Sequence, residues 1–320
     1  MRQLTSLEIC SGAGGQSLGL EKAGFNHVAL VEIEKAACTT LRNNRPEWNV
    51  VEADVAKFDG LPFMGVDLLA GGVPCPPFSK AGMQLGADDD RDLFPEALRL
   101  VSEIRPRAVM LENVRGLMDN TFALYRQSLE NKLQSLGYVC FWKLLNASDY
   151  GVSQLRPRVL LVAIEKSIAA FFHWPVAHAH LPKSVGDLLY DLMAERGWKG
   201  AKIWRRQAST IAPTLVGGSK KHGGPDLGPT RARKAWAALG VDGLGIVEFA
   251  PEKNFIGMPR LTTKMAARIQ GFPDEWQFAG KKTPVYRQIG NAFPPPVAEA
   301  VGKAIAVALQ AAAQANQAAA

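Results

Sequence analysis

Residues Leu4–Ala23 read LTSLEICSGAGGQSLGLEKA, and this stretch decides the fold. A short apolar run, Leu4–Ile9, leads into the glycine-dense turn Cys10-Ser11-Gly12-Ala13-Gly14-Gly15, and Gln16–Ala23 then carries a helical pattern. Strand, glycine turn and helix form the opening unit of a nucleotide-binding sheet. Glycine admits positive φ and lets the backbone approach a nucleotide closely. The dinucleotide fingerprint G-x-G-x-x-G is not met, because with Gly12 and Gly14 in its first two places Ser17 stands in the third. A nicotinamide dehydrogenase is therefore disfavoured.

The same alternation continues outward to about residue 165. Further strands are predicted at Val28–Val31, Val66–Ala70, Ala108–Glu112, Tyr138–Leu144 and Val159–Ile164. Helices are predicted between them at Lys35–Asn44, Pro95–Ile104 and Thr121–Leu136. Strand–helix alternation at this spacing predicts an α/β fold, a Rossmann-like doubly wound sheet, largely parallel. Ligands of such sheets bind outside the carboxyl ends of the strands. From about His173 the pattern loosens, and His, Pro, Gly, Trp and basic residues become frequent. The stretch Val216–Thr230, VGGSKKHGGPDLGPT, reads as loop. Helical pattern returns at Thr262–Gln270, and a last helix is predicted near Pro296, where proline suits a first turn. The expected division is 1–172 for a cofactor-binding and catalytic domain, 173–257 for a smaller irregular region, and 258–320 for a segment whose final helix returns to the first domain.

Composition narrows the function classes. The chain has 320 residues, 47% hydrophobic and 21% charged, ordinary values for a globular protein. No apolar run approaches the roughly 20 residues of a membrane span, and the N-terminus lacks a secretory pattern, so a cytoplasmic location and no membrane partner are expected. The four cysteines, Cys10, Cys38, Cys75 and Cys140, include no C-x-x-C pair, so no metal site is expected. The net charge is +7, yet the span Arg196–Trp236 holds ten Lys and Arg residues against the single acid Asp226. That block points to a polyanionic partner; a solvated surface loop is the plain alternative.

Four groups of residues carry chemistry, each at a predicted strand end. In the glycine turn, Cys10, Ser11, Gly12, Gly14 and Gly15 are placed beside an adenosine-containing cofactor. Glu32, which ends the second strand, can accept from both ribose hydroxyls, and Asp54 is placed to face an adenine amino group. A tight turn beside a solvated acid is the plain alternative. In Gly71-Gly72-Val73-Pro74-Cys75-Pro76-Pro77-Phe78-Ser79 the flanking prolines keep Cys75 out of a helix or a paired strand and expose it. A thiolate there is a strong nucleophile. Glu112, at the end of a buried strand, is partly desolvated, so that it can hold a proton and donate it to a ring nitrogen. Arg156 and Arg158 alternate in extended chain and share a face, able to hold carbonyl or anionic oxygens.

Taken in order, these segments resemble the cytosine-5 DNA methyltransferases of bacterial restriction–modification systems. Gly72–Ser79 looks like that family's catalytic proline–cysteine motif. Glu112-Asn113-Val114 and Gln154-x-Arg156-x-Arg158 match two further active-site motifs. Arg260-Leu261 through Arg268-Ile269-Gln270-Gly271-Phe272-Pro273 and Gln288-Ile289-Gly290-Asn291-Ala292 look like its last two. One departure stands out: the glycine turn of the family usually opens with Phe, which packs on adenine, and here that place is Cys10. The resemblance implies S-adenosylmethionine as cofactor, with Ile33, Val55, Pro74, Leu93 and Asn291 added to its contacts. It implies Cys75 as nucleophile on a flipped cytosine, Glu112 at ring nitrogen 3, Arg158 at the carbonyl oxygen, Arg156 supporting the loop and phosphate, and the Val73 carbonyl accepting from the exocyclic amine. Pro76–Asp92 looks like the mobile loop that closes over the base. The middle region then becomes a target-recognition region on duplex DNA, with Thr214, Lys220, Lys221, Arg231 and Arg233 as DNA contacts. A monomer is implied, with a cognate restriction endonuclease acting separately. Two rivals remain. One is a transfer-RNA methyltransferase of the same family, whose Cys-Phe-Thr signature is not found here. The other is a non-catalytic DNA-binding relative, which would be expected to lose Cys75 or Glu112.

Overall fold

The computed structural model describes residues 2–74, 92–217 and 226–319. The chain divides into two compact units. One comprises Met1–Leu145, Pro157–Val176 and Ala298–Ala320; the other comprises Asn146–Arg156 and Ala177–Val297.

The first unit is built on seven strands: β1 (Leu4–Ile9), β2 (Phe25–Glu32), β3 (Val50–Glu52), β4 (Leu68–Gly72), β5 (Ala108–Val114), β6 (Tyr138–Asn146) and β7 (Pro157–Glu165). Their order in the sheet is β3-β2-β1-β4-β5-β7-β6. The four pairs among β1 to β5 run parallel, and β5 pairs antiparallel with β7. Helices α1 (Gly15–Lys22), α2 (Lys35–Asn44), α3 (Phe94–Ile104) and α4 (Ala123–Ser135) alternate with the strands. Alternation along β1 sends Leu7 and Ile9 into a core shared with Phe94, Leu100, Val101 and Ile104 of α3 and Leu129 and Leu133 of α4. The other face of β1 is polar: Ser6 Oγ meets His27 Nδ1 at 2.9 Å, and His27 Nε2 meets the Ser17 carbonyl of α1 at 2.9 Å. The strands β1 and β4 lie so close at their carboxyl ends that a Cβ on Gly71 would fall 2.7 Å from Ile9 Cγ1, so glycine is required there.

The second unit is mostly helical: α5 (Val185–Ala194), α6 (Ala201–Gln207), α7 (Thr230–Ala238), α8 (Thr263–Gln270) and α9 (Lys282–Asn291). Ser184 caps α5 by accepting from Asp187 N, and Thr262 caps α8 by accepting from Met265 N. The last helix, α10, spans Pro295–Ala319, and its residues from Ala298 onward belong to the first unit. Among the described residues the stretch Lys282–Ala315 is long and apolar enough to cross a membrane by composition, contrary to the expectation that no run would be. Half of its most apolar window is buried, however, and Val301, Ile305, Ala308 and Leu309 are core residues of α10.

Candidate active site

At the glycine turn the backbone does what the sequence required. Cys10, Gly12 and Gly14 take φ values of 51°, 55° and 86°, and Gly14 caps α1. A Cβ at Gly12 would meet nothing within 4 Å, so the turn faces open space. Gly12 N donates to Glu32 Oε2 at 2.7 Å, and Glu34 N donates to Oε1 at 2.7 Å. Glu32 therefore holds the turn as well as ending β2. Each of its oxygens keeps acceptor capacity, and burial raises its pKa. Ser11 is tied into the base of the turn, its N and Oγ bonded to the Val31 and Glu8 carbonyls. Cys10 is half-buried, and burial followed by the nearby Glu32 pushes its thiol up to about 12, so it is neutral and unreactive. Ile33, just beyond β2, is 62% exposed, an apolar surface next to the carboxylate. Asp54 accepts from Ala56 N at 3.0 Å, and Val55 is buried behind it.

The second group converges on the carboxyl ends of β4 and β5. Gly72 pairs with Glu112 in the sheet register, and a Cβ at Gly72 would lie 3.3 Å from Glu112 Oε2. Arg158, opposite Val114 at the start of β7, reaches Glu112 Oε1 with Nε at 2.7 Å. Both side chains are nearly buried, 13% and 11% exposed. Glu112, expected to be partly desolvated and able to hold a proton, is nearly buried and has the Arg158 guanidinium as its neighbour. Asn113 Nδ2 donates to the Val73 carbonyl at 3.0 Å. The oxygen expected to take the exocyclic amine therefore has one lone pair already engaged and one left. Pro74 and Leu93 are joined by the Leu93 N to Pro74 O bond, 3.4 Å. Beside them Tyr125 Oη donates to Asp92 Oδ2 at 2.5 Å, and Asp92 Oδ1 caps α3 at Phe94 N, 3.0 Å. Cys75, Lys220, Lys221 and residues 76–91 of the expected closing loop lie outside the described residues.

In the second unit Arg156 is fully buried. Its guanidinium donates to the carbonyls of Leu215 (2.8 Å), Gly290 (2.8 Å) and Ala292 (3.0 Å). The expectation that it supports a phosphate is corrected, because these donors point at backbone. Thr214 Oγ1 donates to the Leu155 carbonyl, leaving its lone pairs for a further partner. Arg231 is exposed at the start of α7, and Arg233 lays its stem against Gly243. Asn291 is exposed at the end of α9. The charge block is weaker than a count suggests. Arg196 pairs with Glu252 at 2.9 Å and Arg205 with Asp187 at 2.7 Å, acids that lie outside the counted span.

Three residues escape a reading of the sequence: Asn113, Asp92 and Gln270. Asn113 and Gln270 sit inside quoted motifs, so their positions are visible there and their partners are not. Nothing local marks Asp92, whose partner Tyr125 lies on α4, 33 positions later.

The sheet order, with its antiparallel β7 between β5 and β6 and its open glycine turn at the end of β1, defines the fold of S-adenosylmethionine-dependent methyltransferases. Similarity to known proteins agrees and goes further. The family model for the C-5 cytosine-specific DNA methylase matches residues 4–307. The Type II methyltransferase M.NgoMIV of Neisseria gonorrhoeae is 61% identical over 311 residues, covering 96% of this chain and 99% of that one. The Type II methyltransferase M.NaeI of Lentzea aerocolonigenes is 57% identical, covering 97% and 76%. Among solved structures, a prophage-encoded protein of E. coli described as a DNA modification methyltransferase aligns with a TM-score of 0.69 at 26% identity, covering 96% and 99%. The chain belongs to the C-5 cytosine-specific DNA methylase family and is a DNA cytosine-5 methyltransferase.

Proposed function

We propose that the reaction runs on a cytosine flipped out of duplex DNA, through a covalent adduct of Cys75, with the residues above in the following roles. Cytosine carbon 5 is a poor nucleophile within an intact aromatic ring. Cys75 adds as thiolate to carbon 6, and the electron pair of the 5,6 double bond moves to carbon 5. Glu112, as the carboxylic acid, donates its proton to ring nitrogen 3, and Arg158 donates to the carbonyl oxygen, so that the charge developing on the ring is neutralised by oriented donors. The Glu112–Arg158 pair at the ends of β5 and β7 is the observation that carries this reading. It lies beside Gly72, three residues before Cys75. Before the base arrives, each of the two side chains has the other as its partner. S-adenosylmethionine, when bound, supplies the methyl group as a sulfonium electrophile. After transfer, loss of the carbon 5 proton restores the double bond and expels the Cys75 thiolate. A stacked base is out of reach of these groups, hence the flipping.

The open space in front of Gly12 and the buried Glu32 carboxylate fit the adenosine end of that cofactor. Cys10, Ser11, Gly14, Gly15, Ile33, Asp54, Val55, Pro74, Leu93 and Asn291 complete the proposed contacts. Cys10 is too small to stack on adenine as Phe would, and exposed Ile33 offers the apolar surface instead. Thr214, Lys220, Lys221, Arg231 and Arg233 are the proposed DNA contacts within the recognition region, residues 173–257. In this reading the enzyme acts as a monomer in the cytoplasm, with a cognate restriction endonuclease acting separately.

The test uses tritium-labelled S-adenosylmethionine with duplex DNA or transfer RNA, and Cys75→Ser beside the wild type. Label in DNA as 5-methylcytosine, lost in Cys75→Ser, is the expected result. Label in RNA alone moves the chain to the transfer-RNA branch, and no label in either favours a DNA-binding relative.

A further inference from the structure

Two buried glutamines and one buried arginine close a ring of hydrogen bonds in the second unit. Leu215 N donates to Gln154 Oε1 at 2.9 Å, and Gln154 Nε2 donates to Gln270 Oε1 at 2.7 Å. Gln270 Nε2 donates to the Ala292 carbonyl. Arg156 returns from Ala292 (3.0 Å) to the Leu215 carbonyl (2.8 Å), taking in Gly290 on the way. All three side chains have no exposed surface. The ring joins three parts of the chain far apart in sequence: the Gln154–Arg156 segment, the end of α8 and the end of α9. The fourth segment it holds is Ala212–Gly217, which carries Thr214. That segment is stitched along Gln154 by a parallel bridge, with Leu155 N to Ala212 O at 2.7 Å and Ala212 N to Ser153 O at 2.9 Å. On its far side Gly217 crosses Gly290 so closely that a Cβ on either would overlap the other segment's backbone.

Segment 212–217 is therefore held by polar partners that have fixed directions. An apolar contact tolerates sliding; a buried amide that loses its partner does not. The side chain most exposed to change is Gln270, because it links Gln154 to Ala292. A glutamine suits this place because it offers an acceptor to one neighbour and a donor to the other.

We propose that Gln154 and Gln270 are positioning residues for DNA recognition, fixing the register of segment 212–217 and so the discrimination between target and near-target sequences. The proposal rests on the reading of this region as the DNA-recognition surface. The variants are Gln270→Met and Gln154→Met, which keep volume and remove the bonds. Target sites are first read from DNA methylated by the wild type, and kcat/KM is then measured on the target duplex and on duplexes with one base pair changed. The expected result is that the ratio between target and near-target falls about tenfold, the difference in cost of one mismatched pair being about 1–3 kcal/mol. Affinity for S-adenosylhomocysteine stays within about twofold. A role in stability alone would lower the melting temperature and the activity on all duplexes alike, leaving the ratio unchanged, and that result overturns the proposal. Should neither variant fold, hydrogen exchange on the wild type decides: target duplex is expected to slow exchange at Leu215 N more than a near-target duplex does, and equal protection overturns the proposal. Arg231→Ala separates the underlying reading from the proposal. If it leaves DNA affinity and its salt dependence unchanged, the recognition surface has been misplaced, whatever the glutamines do.

Discussion

Arg158 and Arg156 stand two residues apart and serve opposite ends. Arg158 faces a carboxylate that is itself placed to meet a substrate, and the pair keeps some exposure. Arg156 faces three carbonyls of its own unit and keeps none. An ion pair at a strand end that keeps some exposure can be exchanged for a ligand. A guanidinium shared among three backbone oxygens in a dry interior cannot, because every bond it leaves exposes an unsatisfied group. The site of the first unit is built to be opened, and the ring of the second to stay closed.

The largest effect that tests this contrast is expected at Glu112. Glu112→Gln keeps the shape and removes the charge and the acid, and kcat is expected to fall by about 10²–10⁴, the usual worth of such a group. Arg158→Met follows, with kcat down about 10²–10³, the worth of one well-placed donor to developing charge. Steady-state kinetics beside thermal melts checks both: Glu112→Gln is expected to melt near the wild type, and Arg158→Met somewhat lower, because it leaves a nearly buried carboxyl without its partner. Arg156→Met should do the reverse. It leaves three buried carbonyls without this donor, and each buried acceptor left unsatisfied costs about 1–3 kcal/mol. The expected signature is a large fall in melting temperature. A folded Arg156→Met with wild-type melting and lost kcat would break the comparison, because Arg156 would then be acting on substrate as Arg158 does.

The two regions also differ in how much of them is legible in the sequence. Every strand of the first unit except β3 has a run of apolar residues, and the pattern marks Leu4–Ile9 and Lys35–Asn44 to the residue. Parallel strands buried on both faces write themselves as apolar runs. The short β3, Val50–Glu52, sits at the sheet edge and is only half-buried, so it leaves no such trace. The chemistry at strand ends is legible because the fold puts ligands there. In the second unit α5, α6, α7 and α9 escape the pattern. They are ten residues or fewer, and α7 buries only Trp236. The polar ring depends on residues 116 positions apart, Gln154 and Gln270, which no local pattern encodes. Charge misleads for the same reason: Arg205 is balanced by Asp187, 18 positions earlier and outside the counted block.

The contrast between a partnered and an unpartnered group extends to carboxyls, and gives the smallest effect. Glu112 has Arg158; Glu8, buried on β1 beside α1, has no ion-pair partner among the described residues. Burial pushes the Glu8 pKa up to about 8, the Ser17 hydroxyl drawing it partly back and Glu32 raising it further. Near neutral pH the folded protein thus holds Glu8 protonated, whereas the unfolded chain has it ionised above about 4.5. Its contribution to stability is fully present below the unfolded value and is lost as pH rises through the folded one. Glu8→Gln keeps a neutral side chain at every pH and removes that loss. His27, which burial shifts downward, is common to both proteins and cancels in their difference. The melting temperature of Glu8→Gln relative to wild type is therefore expected to rise steadily from pH 5 to pH 8 and to level off above, by several degrees at a rate of roughly 2–4 °C per kcal/mol. A difference that stays flat across that window would mean that Glu8 is ionised in the fold, and so has found a partner as Glu112 did.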